Sequence, residues 1–205
     1  MIGYLKKQTK SLMKMTRNII LMKTTTQLTW YSRLVHKGDH IIGVYPNKEI
    51  ELGLAFEFLK DGLQRNETVM LVTEALSKTE IRNKMSSVLK VDVDKLEAEN
   101  DIIIKTTKEW FFPDGSFTAS KIRDKWSNLI EYSNRNGIRG LRVFEDTSSF
   151  FKRGFVRELV HYESTLGQKF SFPITAICGY LYEEIDTLTL KQFKTLQENH
   201  NLVWF

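Results

Sequence analysis

The 205-residue chain has the length of one ordinary α/β domain, and a hydrophobic share of 41% supplies a core, which excludes a disordered protein. Its single cysteine, Cys178, excludes an internal disulfide framework, and no apolar run approaches the roughly 18 to 20 residues that a membrane span needs. The net charge of +5 is carried by residues 1–37, which hold eight basic side chains from Lys6 to Lys37 and no acid, so the rest of the chain is mildly acidic.

Residues 1–37 read as a basic N-terminal extension, either disordered or carrying a short helix along the stripe Tyr4, Leu5, Leu12, Met15, Ile19 and Met22, with Met13, Met15 and Met22 as alternative starts. Such an extension suits weak, non-specific contact with nucleic acid or an anionic surface. No apolar signal region with a small-residue cleavage site precedes the body, so the expected location is cytoplasmic.

The body, residues 38–205, opens with an apolar strand at Ile41–Tyr45, a helix over Lys48–Arg65 and a second strand at Thr68–Thr73, which together make one βαβ unit. Asn47 is placed to cap the helix, Glu49 and Glu51 suit the positive end of its dipole, and Ile50, Leu54, Phe58 and Leu59 fall on one face. Ser77 and Glu80 stand in capping-box spacing before a helix that ends near Leu89, and a short turn from Asp92 leads to a third strand at Asp101–Thr107. Phe112 to Ser116 form a turn. A long helix follows over Thr118–Asn136, with Ala119, Ile122, Trp126, Leu129, Ile130 and Ser133 on one face and Gly137 as its stop. The fourth strand is Leu141–Glu145, Ser148–Gly154 reads as a loop, and Phe155–Leu166 as a helix. A fifth strand, ITAICGYL, precedes a helix headed by Thr189 and Gln192, and Leu202–Phe205 is a short final strand or docked tail. The alternation predicts a three-layer α/β domain with a mainly parallel sheet, Ile41–Tyr45 lying inside it.

The turn after the first strand is where a phosphate-binding loop would stand. That loop needs Gly-x-x-x-x-Gly-Lys-Ser/Thr, so that backbone amides surround the phosphates and a lysine reaches the terminal ones. Counted from Gly43, the second glycine is Lys48, the lysine is Glu49, and no hydroxyl follows to hold Mg²⁺. The residues present therefore disfavour ATP hydrolysis by that route. No GxGxxG follows a strand, no GxSxG elbow is present, and His36, His40, His161 and His200 lack metal-ligand spacing, so neither a cofactor nor a metal is expected and the chain reads as a non-enzyme. What remains is a set of polar and aromatic residues at the carboxyl ends of strands, the edge where open α/β sheets bind ligands: Tyr45, Glu74, Trp110, Glu145 with Asp146, and Tyr180. Tyr45 and Glu145 are expected to line one crevice, although polar strand ends also cap helices or meet solvent.

In their order and spacing, DHIIGVY, GLQRNETVMLV, DGSF, GLRVFED, HYES and ITAICGY resemble the MEDS domain, the sensory domain named after methanogens, methylotrophs and the regulator DcmR. The resemblance runs from about Gly38 to Phe205. It implies a fold like RecA and KaiC without their nucleotide-hydrolysis motifs, and a role in sensing small molecules such as hydrocarbon derivatives, coupled to transcription regulators or signalling kinases. His40, Tyr45, Glu145, Glu163, Cys178 and Tyr180 match recurrent positions of the family. Two other classes compete with a sensor acting through a partner: a cryptic nucleotide-binding protein or enzyme of RecA-like descent, and a nucleic-acid-associated protein working through residues 1–37. The missing phosphate chemistry and the acidic body favour the sensor.

Overall fold

The computed structural model describes residues 35–170 and 172–204, so the expectations for residues 1–34 lie outside the described residues. Strands β1 (His40–Tyr45), β2 (Thr68–Val72), β3 (Ile102–Lys105), β4 (Leu141–Asp146), β5 (Ile174–Leu181) and β6 (Leu202–Trp204) form one sheet in the order β3-β2-β4-β5-β1-β6. Every pairing is parallel, and β1 lies between β5 and β6, inside the sheet as expected.

The connecting helices are α1 (Lys48–Gln64), α2 (Lys78–Leu89), α3 (Val93–Ala98), α4 (Thr107–Phe111), α5 (Ala119–Arg135), α6 (Ser148–Arg153), α7 (Val156–Glu163), α8 (Tyr182–Thr187) and α9 (Leu190–Glu198). Right-handed crossovers sort them by direction of travel along the sheet. The chain moves from β1 through β2 to β3, then returns past β2 to β4, β5 and β6. The outward helices α1 to α3 therefore pack on one face, hereafter the first, and the returning helices α4 to α9 on the second.

Strand pleating divides the core in the same way. Ile41, Val69, Leu71, Phe144 and Ile177 face the first layer, while Ile42, Met70, Val72, Val143, Ala176, Cys178 and Tyr180 face the second. Burial on both faces explains why β1, β2, β4 and β5 read as continuous apolar runs.

Three local expectations change. Ile50, assigned to the buried side of α1, is 36% exposed, and Glu51 takes the inward position instead. The segment Ser148–Gly154, read as a loop, holds α6, which Gly154 ends in a left-handed conformation (φ 77°). Helices α4 and α8 were not expected because five or six residues are too few to show a helical period. Thr106 and Glu109 nevertheless form a capping box at α4, a signal that the sequence does carry. Among the described residues, no helix is long and apolar enough to cross a membrane.

The amino end of β4 is fastened by a buried cation. Arg142 donates from Nε to Glu67 Oε2 (2.7 Å), pairs with Asp61, and lies over the Phe58 ring at 4.9 Å. Removing one member of a buried pair leaves an uncompensated charge. Arg142→Ala is expected to lower unfolding stability by about 3–5 kcal/mol in a urea titration. A loss under about 1 kcal/mol would show that Glu67 is reached by solvent.

Candidate functional site

At the carboxyl edge, the place of a phosphate-binding loop is taken by a carboxylate–lysine cluster. Asn47 Oδ1 accepts from Ile50 N (3.0 Å) and starts α1, which directs Lys48 toward the sheet rather than toward a ligand. Lys48 Nζ reaches Asp146 Oδ1 at 2.6 Å and also contacts Glu51. Asp146 is held further by Thr73 Oγ1 (2.9 Å) and Ser148 N (2.9 Å). Burial alone would raise the pKa of Asp146, but Lys48 and these donors outweigh it and keep the group below the usual range. Glu51 follows the opposite course. Burial and the charge of Asp146 push it up to about 8, because one lysine does not compensate two adjacent carboxylates. Gly179 makes this arrangement possible: a Cβ there would lie 2.6 Å from Glu51 Oε1 and 2.8 Å from the Phe144 ring. Nearby on the first face, a groove of about 480 Å³ runs between α1 and α2, with Leu52, Phe56, Ala75, Val88 and Lys84 in its walls.

A second polar group lies beneath the helices of the second face. Glu145 and Cys178 are register neighbours on β4 and β5, and Cys178 in turn neighbours Ile42 on β1. Glu145 is buried, and desolvation followed by the charge of Glu163 raises its pKa to about 8. Glu145 Oε1, Trp110 Nε1 and Tyr180 Oη are all buried; hydrogen bonding from the Trp110 indole partly offsets the rise in the Glu145 pKa, while Tyr180 Oη has no hydrogen-bond partner among the described residues. Native interiors rarely leave a group such as Tyr180 Oη unsatisfied, and Glu163, Cys178 and Glu145 are among its electrostatic neighbours. Aromatic rings surround them. Trp110 meets Trp126 at 5.0 Å, Trp126 Nε1 donates to the Tyr162 hydroxyl at 2.9 Å, and Tyr180 meets Phe151 at 6.2 Å.

Next along the same face, four ionisable groups from distant segments converge. His40 begins β1, Glu163 ends α7, Cys178 lies in β5, and His200 follows α9. Asn201 brings the last of these into place, accepting from His40 N at 2.7 Å and donating to Asp39 Oδ1 at 2.8 Å. His40 and His200 stack with centroids 3.7 Å apart. His40 Nε2 is 3.2 Å and His200 Nε2 3.5 Å from Glu163 Oε2, while Cys178 Sγ is 3.5 Å from His40 Nε2 and 3.7 Å from Glu163 Oε2. Burial opposes charge on His40, but Glu163 and two carbonyls outweigh it and its pKa is raised. For His200 burial prevails, lowering it to about 4. Glu163 is held low against burial by hydrogen bonding and charge from His40, with His200 and Cys178 adding to the effect.

Of the sequence-derived candidates, the structure brings together Trp110, Glu145 and Tyr180, with Glu163, Cys178 and His40 adjoining them. It does not bring Tyr45 to Glu145. Tyr45 packs in the first-face core, its ring turned back over Gly43, where a Cβ would lie 2.2 Å from the phenolic oxygen. The expected shared crevice between these two residues is not formed. Glu74 stands apart as well, accepting from Lys108 N (2.8 Å) and Ser149 Oγ (2.9 Å) and thereby joining α4 and α6 to the end of β2. Histidine spacing pointed to no metal site, yet four potential ligands meet in space because they come from four segments. Lys48, Glu51 and His200 were missed as members of a site. A carboxylate at an inward helical position was the available signal for Glu51.

A family model described as the methanogen/methylotroph, DcmR sensory domain (MEDS) matches residues 39–195. A search of curated protein sequences found no match. Among solved structures, a KaiC-like protein of the hyperthermophilic archaeon Pyrococcus horikoshii is similar with a TM-score of 0.54 and 17% identity, the alignment covering 82% of this chain and 71% of that one. At that identity the likeness concerns the fold.

Two outcomes follow from the edge. With Lys48 tied to Asp146 and no glycine cradle, Mg-ATP is expected to leave the melting temperature unchanged; a rise of several degrees that Lys48→Met abolishes would overturn this. Glu51 has a folded pKa raised from 4.5 to about 8, so in that window the native chain binds a proton that the unfolded chain releases, and stability falls as pH rises. Glu51→Gln removes that dependence. In urea titrations the variant should gain on the wild type progressively from about pH 5 to about pH 8. A constant difference would mean that Glu51 is ionised in the native state throughout.

Proposed function

The chain belongs to the MEDS family of sensory domains, and on that premise we propose that it is a non-enzymatic sensor that binds a small, largely apolar molecule with one polar head under the helices of the second face and acts through a protein partner. The observation that supports this reading is a buried, under-satisfied polar set within an aromatic wall: a neutral Glu145 carboxyl with the Trp110 indole as its one hydrogen-bonding neighbour, and a Tyr180 hydroxyl without a partner among the described residues. The indole can only donate, a neutral carboxyl both donates and accepts, and the phenol does either, so together they suit a hydroxyl, carbonyl or amide head. The surrounding rings suit a short hydrocarbon body. The burial of the set favours a ligand enclosed by the protein over one lying in an open crevice, and an enclosed ligand would couple binding to the packing of α4, α5 and α7.

Sensing requires that ligand bind one packing arrangement better than another. Helices α4, α6 and α8 have only five or six residues each and cover the carboxyl half of the second face, so few backbone bonds hold each of them. We take these short helices to be the elements whose packing responds.

The test uses thermal shift and calorimetry of the full chain against a panel of short-chain alcohols, amides and carboxylic acids. At least one compound is expected to raise the melting temperature. Tyr180→Phe and Trp110→Phe should each weaken its affinity about tenfold, since each removes one hydrogen bond. In the ligand-free state Tyr180→Phe should be as stable as the wild type or more so, because it deletes an unsatisfied buried hydroxyl, whereas Trp110→Phe should cost some stability, because it removes the indole that acts on Glu145 and part of the ring packed against Trp126. A panel without any response, or a response that survives both substitutions, would contradict the proposal.

A further inference from the structure

We propose that His40, Glu163, Cys178 and His200 form a closed four-ligand site for a divalent transition-metal ion of the zinc class. The cluster adjoins the ligand set, but the inference is drawn from spacing and hydrogen-bond direction alone. A tetrahedral ion with ligand bonds of about 2.0–2.3 Å places neighbouring donor atoms about 3.3–3.7 Å apart. Three of the six separations in the cluster, at 3.5, 3.5 and 3.7 Å, already have that size, a fourth is 3.2 Å, and all six are within 4.8 Å. Two imidazoles, a thiolate and a carboxylate are the donors that such ions take.

The direction of the hydrogen bonds points the same way. His40 Nδ1 faces Gly167 O (2.9 Å) and Asn199 O (3.0 Å), and His200 Nδ1 faces Leu196 O (2.7 Å). Carbonyls only accept, so both Nδ1 atoms carry hydrogen. In the neutral rings both Nε2 lone pairs then turn toward Glu163. Backbone carbonyls holding Nδ1–H in this way are the usual outer support of a metal-bound histidine. His200 Nε2 is buried, has no hydrogen-bond partner among the described residues, and stands 3.5 Å from a carboxylate oxygen, an acceptor against an acceptor. A proton on His40 relieves one of these contacts. A metal ion relieves both and also engages the sulfur.

The side chains of His40, Glu163 and His200 are at most 1% exposed, and Cys178 is 1% exposed as a residue. With four protein ligands and no open position, the site fits a structural ion that fastens β1, α7, β5 and the segment after α9. Loading releases the Cys178 thiol proton, together with any proton on His40, to solvent, and the ion takes their place.

The experiment uses the full chain without a polyhistidine tag. Elemental analysis after gel filtration is expected to find one equivalent of zinc per chain. Chelator should lower the melting temperature of the wild type but not that of His200→Asn or Cys178→Ser, whose zinc affinity should fall at least about tenfold. His36→Asn and His161→Asn, outside the cluster, should bind as the wild type does. Cobalt(II) loaded into the wild-type chain should give the intense visible bands of a tetrahedral site with a thiolate charge-transfer band, a readout that needs no variant to fold. Weak octahedral cobalt bands, or folded protein that neither retains zinc nor responds to it thermally, would overturn the assignment and leave a His40–Glu163 ion pair.

Discussion

The pleat of β4 sends two adjacent carboxylates to opposite sides of the sheet, and the rest of the molecule's chemistry divides accordingly. Asp146 is directed to the first-face edge, where Lys48, Thr73 and the Ser148 amide satisfy it. Glu145, one residue earlier, enters the second face beneath α4 and α7, with no cation among its electrostatic partners, and is pushed toward its neutral form. A carboxylate that is paired and anionic has a structural task already. A neutral carboxyl whose one hydrogen-bonding neighbour is an indole, near an unsatisfied phenol, has hydrogen-bonding capacity to spare.

The same division shapes the carboxyl edge of this KaiC-like fold. The helix after β1 keeps its cap and its dipole, which elsewhere favour an anion. Here the chain's own carboxylates fill that role: Glu51 in the first turn and Asp146 across from it share Lys48. A bound phosphate would have to displace or repel both. The polar residues of the second face occur where helices have closed over the sheet, so any ligand there is met by side chains from β4, β5, α4 and α7 rather than by a glycine loop.

Much of the architecture was legible from periodicity. The long helices α1, α2 and α5 and the apolar strands β1, β2, β4 and β5 announced themselves, and burial of both faces was implicit in the absence of alternation. Short helices were not, since one turn and a half leaves no repeat to detect. The site was legible only in part. Trp110, Glu145 and Tyr180 were visible as polar or aromatic residues near strand ends, but which face each one takes depends on strand parity within a known sheet. Tyr45 illustrates the difficulty: it ends a strand as Glu145 nearly does, yet lies on the other face. His200 was beyond reach because its proximity to His40 depends on the chain folding back through α9 and on Asn201 bonding to β1.

The central claim is that small-molecule chemistry resides on the second face and not at the carboxyl edge of the first face. Native mass spectrometry of freshly purified wild type, Glu145→Gln and Lys48→Met tests it most directly. The account predicts a retained small organic adduct in the wild type and in Lys48→Met that is depleted in Glu145→Gln. An adduct that persists in Glu145→Gln and disappears in Lys48→Met would contradict it and return the binding site to the carboxyl edge.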